Sequence, residues 1–272
     1  RLKTGETRFD DVGRQNIAST RDNDLSIWLP GVAAFYEIND EWSLLAGIHR
    51  GFSPLGGSAR AWEKPETSIN YEFGARYDGR VFVEVIGFYS DFSNKGESCS
   101  NAYPCSNGAT SGTFITGEAV VAGVEVQVGH VFETGQITWP LSVSYTHSMA
   151  EARDDAADSG VLDGDTLASV PKNSLSLRLG GQVGSRWDSY AVVKYVDEMC
   201  VEIGCNREAS NFAQTESFFV VDVGTRYAVT DAVSAFVEVE NAFDERAIVS
   251  RQPDGARPNK PLTAMLGVEW IF

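Results

Sequence analysis

The side chains that could carry chemistry are few and lie apart. The three histidines, His49, His130 and His147, stand in separate segments. Ser148 follows His147 in YTHSM, and a nucleophile beside a base is the start of acyl-transfer chemistry. A barrel lipase would set its serine in a His-x-Ser-Asn-Gly context, which this sequence lacks, so the pair reads as an ordinary strand end. The stretch EARDDAADSGVLDGDT, residues 151–166, is rich in carboxylates. It lacks the Asp-x-Asp-x-Asp-Gly spacing and terminal Glu of an EF-hand loop, and reads as a solvated acidic loop. No catalytic constellation, metal site or cofactor motif emerges, and the chain is not expected to be an enzyme.

Four cysteines form two close pairs, Cys99 with Cys105 in CSNAYPC and Cys200 with Cys205 in CVEIGC. A metal site would need further ligands, and no histidine lies near either pair in sequence. Two local disulfides that pin polar loops are the expectation, and they imply an oxidising compartment.

The elements that must position these groups read as strands. Residues 261–272, PLTAMLGVEWIF, put Ala264, Leu266, Val268, Trp270 and Phe272 on one face, with Met265, Gly267 and Glu269 on the other. This two-residue period marks a strand with one apolar face, and it recurs along the chain. GVEVQVGHV (123–131) sets Val124, Val126 and Val128 against Glu125 and Gln127, and NSLSLRLGGQV (173–183) sets three leucines against Ser176 and Arg178. In VFVEVIGFY (81–89), Phe82, Ile86 and Phe88 make the second face apolar too. About twelve strands are expected, the least certain in residues 1–10. Helix-period segments of useful length are absent, so the fold class is all-β.

Connections alternate in length. Short links at 39–40, 78–79, 133–135, 184–186 and 229–231 suit tight hairpin turns. Between them lie long polar loops at about 10–30, 52–66, 94–115, 149–170, 199–215 and 244–259, lengths that in compact domains usually serve function.

A soluble β-sandwich also alternates apolar and polar residues. Here aromatics recur at strand ends on the apolar face, among them Trp42, Tyr71, Tyr77, Trp139, Trp187, Tyr227 and Trp270, as membrane-interface girdles do. The opposite face carries Glu72, Arg76, Glu125, Arg178, Asp222 and Arg226 in mid-strand. Together with the alternation of short turns and long loops, this predicts a transmembrane antiparallel β-barrel with lipid against its apolar face.

Composition agrees. Of 272 residues, 38 are acidic and 22 basic, a net charge of −16 that would repel the phosphates of nucleic acid. No apolar run approaches the roughly 20 residues of a membrane helix. The opening RLKTGETRFD shows neither a charged-then-apolar leader nor an initiating Met, so either a removed leader or a longer chain is expected.

Several stretches resemble TonB-dependent outer-membrane receptors: GFSPLGG (51–57), KPETSINYEFGARYDGR (64–80), VAGVEVQVGHVF (121–132), VPKNSLSLRLGG (170–181) and the ending from Glu240. Asn241, Ala242, Phe243 and Asp244 stand where that family has its Asn-hydrophobic-Phe-Asp turn, and SRQPDGARPNKP is most similar to the ferric dicitrate branch. The resemblance covers residues 1–272 as one barrel domain, matching the last twelve strands of a 22-stranded barrel. No plug domain or TonB-box segment is recognisable, which implies a piece of a longer receptor or a truncated product.

The resemblance implies capture of a ferric chelate, ferric dicitrate or a siderophore, by extracellular loops in a Gram-negative outer membrane. Uptake would be energised by the TonB complex through the plug. Guanidinium forks suit the carboxylates of an anionic chelate, so Arg60, Arg207, Arg251 and Arg257 are candidate ligand contacts, although each could simply pair with a nearby Asp. Glu72, Arg76, Glu125, Arg178, Asp222 and Arg226 would face the plug. Leu266, Val268, Trp270 and Phe272 resemble the C-terminal signal read by the barrel assembly machinery. Lipopolysaccharide is the expected neighbour outside. The rival readings are a self-contained twelve-stranded porin or translocator barrel, and a soluble carbohydrate-binding β-protein.

Overall fold

The computed structural model describes residues 2–9, 15–23, 26–53, 64–99, 112–153, 160–207, 212–251 and 255–272, with side chains from residue 26 onward except 97–99 and 112–116. No helix forms among the described residues. Strands β1 (Leu2–Phe9) and β2 (Gln15–Asn23) pair antiparallel with each other in a two-stranded sheet. Eleven strands then build one sheet: β3 (Gly31–Glu37), β4 (Trp42–Ser53), β5 (Glu66–Asp78), β6 (Phe82–Cys99), β7 (Gly112–Thr134), β8 (Ile137–Ala152), β9 (Asn173–Val183), β10 (Trp187–Val196), β11 (Phe218–Ala228), β12 (Val233–Glu240) and β15 (Thr263–Trp270). Each pairs antiparallel with its neighbour in chain order. The short β13 (Ile248–Ser250) and β14 (Arg257–Pro258) pair within the last long loop.

Two expectations change. The strand expected in residues 1–10 exists but pairs with β2, inside a stretch read as loop, so the large sheet holds eleven strands. The loop expected at 94–115 is strand at both of its described ends, because β6 and β7 run on past a bulge near Asn94 and pair out to Cys99 and Gly112. The extension sequence GESCS is short and polar, with no alternating apolar face to mark it as strand.

The five short links are the tight turns expected. Asn39 closes the first by accepting hydrogen bonds from the amides of Glu41 and Trp42, and Thr230 does the same for Ala232 and Val233. Gly135 turns with φ +65°, a conformation that favours glycine. All five turns fall at one end of the sheet and the long connections at the other.

The register puts every apolar stripe on one face. Ala46 lies opposite Phe73, Ala75 opposite Val85, Val85 opposite Val126, and Val128 opposite Val143. The stripe continues through Leu177, Val193, Val221, Val237 and Leu266. No described residue covers its end on the last strand, where Leu266 is 83% exposed and Val268 71%. Aromatics stand on it at two heights. Trp42 and Tyr77, with ring centroids 5.0 Å apart, mark the turn end with Trp139, Trp187 and Trp270, whereas Tyr71, Tyr89, Tyr145 and Tyr195 stand toward the loops. Tyr71 and Tyr77 are separated by roughly 20 Å at the rise of a β-strand, close to the height of an outer-membrane apolar band.

Buried apolar residues lie elsewhere. Ala119, Ala150, Ala152, Val161, Leu167, Cys200, Val201, Cys205, Ala213 and Ala247 all sit at the long-loop end. The mid-strand apolar face therefore has no protein core to join. Burial there stabilises the protein only in contact with lipid.

Candidate functional site

Two regions bring polar groups together: a cap built by three long loops, and the polar face of the sheet.

The cap begins where β7 and β8 rise past the neighbouring strands. Ala119, Ala150 and Leu167 form its apolar centre, with Phe92, Val121, Val170 and Ile203 packed against it. Asp165 is 2% exposed. One of its oxygens accepts the Leu162 amide at 2.7 Å, and the other lies 2.7 Å from Nε of Arg207. Arg207 also donates to the carbonyl of Gly160 at 3.0 Å. The neighbouring Asn206 accepts the Thr166 amide and donates to Gly164. This ties the 153–172 connection to the 197–217 connection.

Cys200 and Cys205 form a disulfide beside Ala213, so the CVEIGC pair is bonded as expected. The other expected disulfide, between Cys99 and Cys105, falls outside the described residues. Cys105 lies outside the described residues, and Cys99 is described only as the last backbone position of β6.

The third loop joins through Glu216, whose amide donates to Ile248 and whose carboxylate accepts the Ile248 amide. Arg251 Nε donates to the Gln214 carbonyl at 2.7 Å, and its guanidinium lies 5.6 Å from the Phe212 ring centroid. At the entry to this loop Asn241 is 2% exposed, with φ +49°. Its side chain donates to the carbonyls of Glu245 and Lys260 and accepts the Glu245 amide, while its own amide donates to Asp222. Asp244 accepts from the Leu262 amide and from Arg246, and these bonds, Arg246 foremost, hold its carboxyl below the usual range.

Of the four candidate arginines, Arg60 lies outside the described residues. Arg207 and Arg251 are engaged in building the cap, and Arg257 is exposed on β14. Sequence reading missed Asp165, which it left in a solvated acidic loop. The local signal was the LDGDT turn, where Gly164 at φ +84° lets the chain double back.

The register also gathers the six expected polar-face residues. Arg76 lies opposite Glu84 and bonds it at 2.6 Å. Asp222 pairs with Lys194 at 3.1 Å, and Arg226 with Glu269. Glu72 and Glu125 are exposed on the same face without an ion pair among the described residues. Arg178 stacks on Tyr190, 4.4 Å from its ring centroid. Phe88 and Phe236 sit on this face across from Gly123 and Gly267, where a Cβ would strike the rings. Large rings therefore pack flat over glycines on the polar side.

His147 occupies the opposite, apolar face near the loops. Its Nδ1 lies 2.9 Å from Asn173 Oδ1, which also accepts from the Tyr145 hydroxyl. Asn173 donates in turn to Asp197, which accepts from Tyr195 as well. Four side chains on β8, β9 and β10, with Asp197 just past the end of β10, thus form one network at the boundary of the apolar band.

A single antiparallel sheet with an uncovered apolar face, two aromatic belts, short turns at one end and a loop cap at the other is a transmembrane β-barrel sheet of the outer-membrane type. Residues 4–242 match the family model described as TonB dependent receptor-like, beta-barrel, and the chain belongs to that family, whose place is the outer membrane of Gram-negative bacteria. The ferripyoverdine receptor of Pseudomonas aeruginosa is 25% identical over 241 residues, covering 80% of this chain and 27% of its own. The ferric-catecholate import receptor Fiu of E. coli superposes with a TM-score of 0.71 at 20% identity, over 96% of this chain and 37% of that one. The ferric citrate transporter FecA gives a TM-score of 0.69 at 19% identity, over 89% and 38%. The chain thus spans between a quarter and two fifths of the proteins it resembles.

Proposed function

We propose that this chain is the C-terminal barrel portion of an active outer-membrane transporter for a ferric chelate, either ferric dicitrate or a siderophore. Ligand is captured by the extracellular loops, and uptake is driven by the TonB complex acting through a plug domain. The observation that carries the reading is the family match over residues 4–242 combined with a polar sheet face capped by interlocked loops. Relatives named for ferripyoverdine, ferric catecholate and ferric citrate support a ferric chelate as the class of cargo. No catalytic role is assigned to any residue.

Within this reading Arg60, Arg207, Arg251 and Arg257 are the arginines of the ligand-capturing loops, with Arg207 and Arg251 also holding the cap together. Glu72, Arg76, Glu125, Arg178, Asp222 and Arg226 face the plug. Leu266, Val268, Trp270 and Phe272, exposed on the apolar face with Trp270 and Phe272 stacked at 5.4 Å, form the signal for the barrel assembly machinery. Lipopolysaccharide surrounds the loop end outside.

The test is uptake of radioactive iron by iron-starved cells whose only receptor is the full-length protein containing this chain. Ferric dicitrate, a ferric hydroxamate and a ferric catecholate are supplied separately, with TonB present or deleted. Accumulation of one chelate that stops without TonB supports the reading. Uptake that is unchanged by TonB deletion, or no uptake of any chelate, overturns it in favour of a passive barrel.

A further inference from the structure

Among the described residues five cationic side chains stand on the polar face of the eleven-stranded sheet: Arg76, Lys95, Arg178, Lys194 and Arg226. Four are neutralised within the sheet by Glu84, Glu66, Asp222 and Glu269. Arg178 has no carboxylate partner among the described residues. Its cross-strand neighbours are Ser142 on β8 and Val192 on β10, neither of which carries charge.

Its position is nonetheless fixed. Tyr190 lies opposite Gly180 on β9 and Gly224 on β11. A Cβ on Gly224 would come within 2.6 Å of the ring, so only glycine there lets Tyr190 lie flat. The Tyr190 hydroxyl is anchored on Glu238 at 3.2 Å. Arg178 then lies over the ring, a cation–π contact at 4.4 Å, and its N–H groups have no hydrogen-bond partner among the described residues. These groups line a groove of about 570 Å³ with Phe236, Glu238, Met265 and Glu269. The groove's own carboxylates are occupied: Glu238 by Tyr190, Asp188 by Gln182, and Glu269 by Arg226.

We propose that Arg178, laid on Tyr190 in this groove, is the docking point for a carboxylate carried by the polypeptide segment that fills the barrel interior. The inference rests on the reading of the chain as part of a plug-containing transporter. A filled interior excludes water, and a guanidinium left there without an anion is costly. The anions a polypeptide can supply are Asp, Glu and its C-terminus. The planar fork of Arg178 matches a carboxylate in two-point geometry, and the groove has room for one or two side chains.

The experiment uses the full-length receptor in its native outer membrane. A photo-crosslinking residue, p-benzoylphenylalanine, replaces Arg178 in one variant and Gln127, on the same face, in a control. Linked peptides are identified by mass spectrometry. The expected result is that both positions link to an interior segment of the same chain, with an Asp or Glu beside the site linked from position 178. Arg178→Glu should then raise passive entry of a large antibiotic roughly ten-fold, the loss of one charge-assisted contact. Reversing the identified carboxylate to Arg should restore the seal, and Arg178→Lys should fall between. Heat-modifiable gel mobility confirms that each variant's barrel is folded. Links from position 127 alone, a linked segment without a carboxylate, or a folded Arg178→Glu variant with an unchanged seal would overturn the docking proposal. Absence of self-links from both positions would overturn it together with the plug reading on which it rests.

Discussion

Arg207 Nε lies 2.7 Å from a carboxylate oxygen of Asp165 that is almost wholly withdrawn from water. One residue comes from the loop after β8 and the other from the loop after β10, so this pair decides whether those loops act as one body. Removing only Arg207 strands a buried charge, and a broken buried pair costs about 3–5 kcal/mol. Arg207 is 43% exposed along its side chain, so solvent reaches the pair from one side, and about 2–3 kcal/mol is expected for Arg207→Ala. Hydrogen exchange at Leu162 and Thr166 should accelerate by the corresponding factor while the amides of β9 and β10 stay protected. Equal acceleration throughout the sheet would mean that the pair supports the barrel and not the cap.

The Cys200–Cys205 bond closes a short loop beside that pair. For so few residues, chain-entropy arguments give about 2 kcal/mol. The double variant Cys200→Ser with Cys205→Ser should open the segment to protease near Val201 and leave the thermal midpoint of the strands unmoved. A lowered midpoint with no new cleavage would contradict this.

Asp244 links acid to the shape of the last loop. Arg246, and after it the Leu262 amide, hold its carboxyl below the ordinary range. A carboxylate with a depressed folded-state pKa contributes stability that is fully present above its unfolded value and is lost as pH falls through the folded one. The Leu262 amide should stay protected at neutral pH and lose protection only in acid, below about pH 4. In Asp244→Asn that pH dependence should vanish. Loss of Leu262 protection between pH 5 and 7 would assign the transition to another group.

Much of this architecture was legible because lipid imposes a strict rule on a strand. Val124, Val126 and Val128 must share a face or the strand cannot sit in the bilayer, so period two survives clearly in the sequence. The five turns were legible for a similar reason: Asn39, Gly135, Gly184 and Thr230 are residue types whose chemistry closes a tight turn. The cap was not legible. Asp165 and Arg207 meet through the fold of two irregular loops, and no period connects them. The same polar composition that marks a loop hides a buried carboxylate within it. Arg178 falls on the polar face as its alternation implied, yet its want of a carboxylate partner depends on which residues stand directly opposite it on β8 and β10. Those neighbours follow from register, which turn lengths alone left open.

The apolar face itself gives the most direct test. Val126 and Gln127 are adjacent in the middle of β7, and the register puts Val126 beside Val85 and Tyr145, and Gln127 beside Glu84 and Ser144. An arginine at the first position would enter the bilayer near its midplane, where such a charge costs about 2–4 kcal/mol on a barrel's lipid face. An arginine at the second would enter the polar face, opposite Glu84 and Ser144 and near Glu125. In the full-length receptor refolded into phospholipid bilayers, Val126→Arg should lower unfolding stability by that amount and Gln127→Arg should change it little. The contrast holds only if lipid covers the first face and not the second. Equal costs at the two positions, or the larger cost at Gln127, would mean that the valine stripe is covered by protein and that this sheet does not line a membrane.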